Sequence, residues 1–307
     1  MMTSRRLTDA VRAVALRAGA DLVGFAAPSA LAGAPEGTRP SQYLDGATCV
    51  VSVGVHIPNG VCDIWGQPGE AGRSAGPYLL YGYGITCWEA SRAAMLVARH
   101  LELQGYRSIC FQPAWSSSYY RQYHRWDEGI SDQDFPHQLA AAAAGLGGIG
   151  WNGLCLTPEY GARQRFASVV TDAPLSLDRQ YDGPALCDPA WCGHQCAAVC
   201  PTGALGTTPG QPALVGGRLY PTGQLDWVRC RFGLEGLVAG SGSRATAAMP
   251  TEFVAWDDLL RARDNGNDVD ALLLRHCEGA LVGHFCERCL HQCPAHQLSG
   301  GRSARTG

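Results

Sequence analysis

No stretch of the 307-residue chain approaches the ~20 consecutive apolar residues that cross a bilayer. The opening, MMTSRRLTDAVRAVALRAGADLVGF, has no apolar run of signal length, and Arg5-Arg6 is not followed by the apolar stretch of a twin-arginine signal. Charge is scarce. Charged residues make up 17 % of the chain and the net charge is −3, which gives no general attraction to phosphate backbones or anionic membranes. Internal repeats are missing apart from two cysteine runs. These absences predict a cytoplasmic protein with no membrane partner. The apolar share of 46 % supplies ample core.

Cysteine is the residue in excess, with fourteen in the chain. A cytoplasmic setting favours metal ligation over disulfides for clustered cysteines. Cys187, Cys192, Cys196 and Cys200 form the run CDPAWCGHQCAAVCP, and Cys286, Cys289 and Cys293 form CERCLHQCP. Both runs end in Cys-Pro. A bacterial two-cluster ferredoxin module has this signature, the Cys before Pro ligating the other run's cluster. The usual first run is C-x2-C-x2-C-x3-C-P, whereas this one is C-x4-C-x3-C-x3-C-P. The longer gaps change the loop path and remove no thiolate. Two 4Fe-4S clusters need eight cysteines and the runs hold seven. Cys230, in the predicted helix around LDWVRC, is the choice for the eighth, with Cys277 its rival. The expected partition is Cys187, Cys192, Cys196 and Cys293 on one cluster, and Cys200, Cys230, Cys286 and Cys289 on the other. Zinc is the rival metal, but compact four-ligand sites give no reason for crossed Cys-Pro endings. Cys49, Cys62, Cys87, Cys110 and Cys155 are scattered and read as small packed hydrophobes.

Residues 1 to about 178 alternate helix and strand, the pattern of an α/β domain. Helices are predicted over Thr8–Ala18, Thr86–Gln104 and Leu139–Leu146, and strands over Asp21–Ala27, Ala47–Ile57, Ser108–Gln112 and Phe166–Thr171. Thr202–Gly217 reads as loop, and Glu252–Arg263 and Val269–Cys277 as helices. Gly145, Gly147, Gly148 and Gly150 lack Cβ and would let backbone approach a flat macrocycle closely. A helix C-cap would explain one or two of them. Arg163 and Arg165 read either as binders of an anionic or carboxamide group or as strand-edge surface arginines.

Residues 144–175, AGLGGIGWNGLCLTPEYGARQRFASVVTDAPL, followed by the cysteine runs, resemble the epoxyqueuosine reductase and reductive dehalogenase superfamily. GADLVGFA at 19–26 and YLDGATCVVSVGVHIP at 43–58 fall in matching order. The resemblance implies a nitroreductase-like, corrinoid-binding α/β domain over 1–178 and a two-cluster ferredoxin-like domain over 179–298; the polar SGGRSARTG over 299–307 reads as a disordered tail. The resemblance also implies that two 4Fe-4S clusters pass electrons from an external ferredoxin or flavodoxin to cobalamin, which drives cleavage of a C–O or C–halogen bond. The cofactor carries the hard chemistry and the protein supplies orientation and protons. Epoxyqueuosine reductases usually carry a helical-repeat extension for tRNA. This chain stops soon after Cys293 and is not basic, so a small molecule is expected rather than tRNA. Trp151 follows Gly150 where the reductase branch often has lysine.

Cleavage at carbon needs a nearby proton donor. The resemblance places it in Ser116–His137, with Asp132 first and Asp134 next, and Tyr123 and His124 matching an aromatic-His pair. His137 is expected to line the pocket, and Gly145, Gly147, Gly148, Gly150, Trp151 and Arg163 to contact the cofactor. Two alternatives stay open: a corrinoid-free reductase using flavin or direct cluster chemistry, and an electron-transfer or corrinoid-reducing partner protein.

Overall fold

A computed structural model describes residues 3–64, 77–113, 135–234, 236, 238–242, 248 and 286–300. Four strands make the central sheet, β1 (Leu22–Ala26), β2 (Cys49–His56), β3 (Ser108–Phe111) and β6 (Gln164–Thr171), in the order β1-β2-β6-β3, while the two-residue strands β4 (Gly148–Ile149) and β5 (Cys155–Leu156) pair with each other. Every pairing is antiparallel. The β2–β6 ladder runs from Cys49 opposite Thr171 to His56 opposite Gln164.

Strand side chains alternate between faces, and the two cores follow that alternation. Val23, Phe25, Val51, Val53, Ala167 and Val169 face a core shared with the N-terminal helix Ser4–Arg17 and the long helix Thr86–Leu103. Those helices contribute Leu7, Val11 and Ala15, and Ala90, Ala94, Val97 and Leu101. Leu22, Ala26, Val50, Phe166 and Val170 face the second core, with the alanines of helix His137–Ala143. That helix sits close because a side chain on Gly24 would collide with Ala144 and Leu146. β2 is therefore buried on both sides, which explains why Ser52 is the one polar residue between Cys49 and Val55.

The predicted strands and helices of this half all appear within a few residues of expectation. Cys49, Cys62, Cys87 and Cys155 are buried as expected, but Cys110 is exposed. It lies on β3, at the end of the sheet order.

The expectation of a loop over Thr202–Gly217 is corrected. β7 (Leu205–Pro209) pairs with β10 (Gly223–Leu225), and β8 (Ala213–Val215) pairs with β9 (Arg218–Tyr220). Gly216 and Gly217 make the β8–β9 turn, both with positive φ, as a two-residue hairpin turn needs. Val215 and Tyr220 bury in the second core beside the alanine helix. Helix Trp227–Leu234 follows and carries Cys230. Helix Ala295–Gly300 extends into the start of the expected tail. The helices predicted over Glu252–Arg263 and Val269–Cys277 lie outside the described residues. No described helix is long and apolar enough to cross a membrane.

Candidate metal centre

The first cysteine run folds as two four-residue helices, Pro189–Cys192 and Gln195–Ala198. Asp188 caps the first, its carboxylate accepting from the Trp191 N–H at 3.0 Å. The second run folds as helix Arg288–His291. These pieces are too short to bury a core of their own, so other parts of the chain hold them in place.

Arg163 and Arg165 do this, and neither is a surface residue. Arg163 is 3 % exposed. It donates to Asn59 Oδ1 at 2.9 Å and to the His291 carbonyl at 2.9 Å, and it pairs with Asp63 at 2.8 Å. Arg165, on β6, grips the Glu287 carboxylate with two nitrogens, one at 2.6 Å. The Tyr78 hydroxyl donates to the same carboxylate. Burial holds the Tyr78 phenol well above its ordinary pKa, so it stays a proton donor. Glu287 sits between Cys286 and Cys289, so a strand of the sheet is tied to the second run. Asn152 adds a bond to the Cys289 carbonyl at 3.0 Å.

Cys187, Cys192, Cys196 and Cys293 line one small cavity of about 20 Å³, with Trp151 and His194. Cys293 has thereby crossed from the second run to the first. Burial, reinforced by Cys293, Cys187 and Cys192, pushes the Cys196 thiol up to about 12. The Trp151 backbone N–H donates to Cys187 Sγ at 3.2 Å. The other four cysteines also neighbour one another. Burial and then Cys286 and Cys200 push Cys230 up to about 12. Burial and then Cys230 and Cys286 raise Cys289. The Cys286 side chain packs beside Gly233 of the Cys230 helix. Such buried thiols resist becoming thiolates unless a metal compensates the charge. Among the described residues, no three His, Cys, Asp or Glu side chains converge tightly enough for a single metal ion.

The remaining sequence candidates are placed as follows. Gly145 and Gly147 pack against protein backbone, the carbonyls of Arg179 and Leu156, where any side chain would collide. Gly150 packs on the Leu156 side chain. Gly148 lines a cleft of about 160 Å³ with Cys187, Tyr181, Arg218 and Tyr220. Trp151 lines the cysteine cavity, its indole N–H donating to the Gly206 carbonyl at 2.9 Å. His137 is buried and bridges the Gln112 carbonyl at 2.7 Å and Ser168 Oγ at 2.9 Å. Burial lowers it to about 4, so it is neutral, with Nε2–H donating to the carbonyl. Tyr123, His124, Asp132, Asp134 and Cys277 lie outside the described residues. Sequence reasoning missed Glu287, Tyr78 and Asn152. Glu287 carried one signal, a carboxylate inside the cysteine run; the others carried none.

No family model and no curated protein matches the chain. Solved structures do. NpRdhA, a catabolic reductive dehalogenase in complex with 3-bromo-4-hydroxybenzoic acid, matches with TM-score 0.54 and 18 % identity, over 94 % of this chain and 38 % of its own. A reductive dehalogenase structure described for B12-dependent dehalogenation gives 0.54 and 17 %, over 94 % and 38 %. An epoxyqueuosine reductase with an epoxyqueuosine-modified tRNA-Tyr stem loop gives 0.52 and 18 %, over 95 % and 66 %. The chain thus spans only part of each of these proteins, and it has the fold that reductive dehalogenases and epoxyqueuosine reductases share.

Proposed function

We propose that this chain is an iron–sulfur reductase acting on a small molecule. Residues 179–298 carry electrons and residues 1–178 hold the site of reduction. Cys187, Cys192, Cys196 and Cys293 hold one 4Fe-4S cluster, and Cys200, Cys230, Cys286 and Cys289 the other. The observation that carries this reading is the crossing of Cys293 into the cavity of the first run. Crossed ligation is what a two-cluster ferredoxin module requires and what two independent zinc sites do not. The donor set fits.

In this reading the protein's own groups do three things. Burial raises the thiols, so cluster assembly must take their protons away. The Trp151 N–H to Cys187 Sγ offsets charge on one ligand. Arg165, Tyr78 and Arg163 hold the second run against the sheet, fixing the distance between the clusters and residues 1–178.

A ferredoxin or flavodoxin supplies the electrons. The likeness in fold to a B12-dependent dehalogenase points to cobalamin as the final carrier. A corrinoid supplies a strongly reducing metal for C–O or C–halogen cleavage. The described glycines do not fit that role well, because Gly145, Gly147 and Gly150 are filled by the chain itself. This observation favours, as a second reading, a corrinoid-free reductase using flavin or direct cluster chemistry. Asp132, then Asp134, Tyr123 and His124, are the proposed proton donors. The charge of −3 is the ground for a small molecule over tRNA. A cytoplasmic location follows from the reduced thiols the clusters need.

Anaerobic reconstitution with iron and sulfide tests the proposal. About eight irons per chain are expected, with Cys230→Ala falling to about four. The same fall in Cys277→Ala, and none in Cys230→Ala, would move the eighth ligand. About four irons in the wild type, or bound zinc in their place, overturns the reading. A shift in the visible corrinoid bands on adding cobalamin separates the two readings of the final carrier.

A further inference from the structure

The first cysteine run is longer than the usual spacing by two residues in its first gap and one in its second. The extra chain folds into a left-handed step. Helix Pro189–Cys192 ends at Gly193, with φ 62° and ψ 34°. His194 follows with φ 52° and ψ 41°. Glycine adopts this conformation freely; a residue with Cβ adopts it at a cost. His194 is the one non-glycine residue with positive φ among the described residues. Strain of this kind persists where the surroundings hold it, often at functional sites.

The step carries the His194 side chain to the cysteine cavity, which it lines with Cys187, Cys192, Cys196 and Cys293. Its ring meets Trp151 edge-on, with centroids 4.7 Å apart and planes at 75°. Its Nδ1 is buried and has no hydrogen-bond partner. A buried polar atom without a partner is rare and destabilising, and an unplaced ligand is one standard reason for it. On the same cavity wall, the Trp151 N–H already donates to a ligand sulfur.

We propose that His194 donates its Nδ1–H to a sulfur of the first cluster and raises that cluster's reduction potential. This rests on the iron–sulfur reading of Cys187, Cys192, Cys196 and Cys293. The cluster takes one electron from the donor and passes one on, and His194 exchanges no proton in that step. A hydrogen bond to cluster sulfur stabilises the added negative charge, so it favours the reduced form. The lengthened run is then the device that brings a donor to the cluster, where the shorter spacing has no room for it.

The test is an EPR-monitored redox titration of the full chain, reconstituted anaerobically. In His194→Leu, iron stays at about eight per chain. The reduction equilibrium of one cluster falls about tenfold, which is about 59 mV for a one-electron couple, and the other is unmoved. His194→Gln keeps an N–H donor and recovers most of the shift. Wild-type protein labelled with 15N-histidine shows nitrogen coupling to a reduced cluster, and His194→Gln removes it; the labelled wild type needs no variant to fold. Unchanged midpoints in His194→Leu, or no coupling in the labelled wild type, overturn the proposal. Loss of about four irons in His194→Gln would make His194 a ligand and also overturn it. A wild-type chain that binds no iron overturns the underlying cluster reading instead.

Discussion

The sheet half and the cysteine half of the molecule are held together by different physics. Around β2, alternating apolar side chains pack against three helices, and Val51, Val53, Val97, Leu101 and Val169 are fully buried. Around the cysteines, the elements are helices of four to eight residues and strands of three to five. Arg163, Arg165, Glu287 and Asn152 anchor them, beside a small apolar cluster in which Leu290 and Ala295 meet Ile57 and Leu156. Buried apolar area scales directly into stability. A buried ion pair returns little net stability, but it is expensive to break. The sheet half should therefore stand without metal, and the cysteine half should not.

Iron removal is the strongest way to break that comparison. Chelation should release amide-exchange protection across residues 187–209, 223–234 and 286–297 while β2 and β6 keep theirs, because ligation supplies folding energy only to the half that binds metal. Simultaneous loss in both halves would show that the sheet depends on the clusters.

Arg165→Met comes next. It leaves the Glu287 carboxylate buried without its partner, for about 3–5 kcal/mol. Denaturation of the reconstituted protein should show this loss, and adding Glu287→Gln should recover part of it. Leu101→Ala strikes the other half. A cavity in the first core should cost about 2–5 kcal/mol with iron content unchanged.

The smallest effect is the pH dependence of the sheet half. His137 is held neutral with its pKa lowered to about 4 from 6.5. Below 6.5 the unfolded chain binds a proton that the folded chain does not, so stability falls with falling pH until about 4. The slope from this one group is at most about 1.4 kcal/mol per pH unit. His137→Gln should flatten the stability profile between those values.

The strands and helices of the sheet half were legible because burial on a sheet or helix face imposes a period on the chain. Leu22–Ala26 and Cys49–His56 are apolar runs of strand length, and Thr86–Leu103 has helical spacing. Strands β7 to β10 were not, because strands of three to five residues are too short to show a period. What the glycines admit was not legible either. A missing Cβ says that something comes close, and at Gly145 and Gly147 that something is the chain's own backbone. Arg163 and Arg165 looked like ligand binders or surface residues for a similar reason. Their partners, His291 and Glu287, lie more than a hundred residues away, and local pattern does not reach that far.

By itself the sequence determined the α/β character of the first half and the two Cys-Pro runs, since periodicity and ligand spacing are local properties of a chain. The antiparallel order of the sheet, the passage of Cys293 into the first run's cavity, the clamp of Arg165 on Glu287 and the placing of His194 beside four cysteines were decided only in three dimensions. Each joins segments far apart in the chain, and it is the shared core and the buried charges that bring them together.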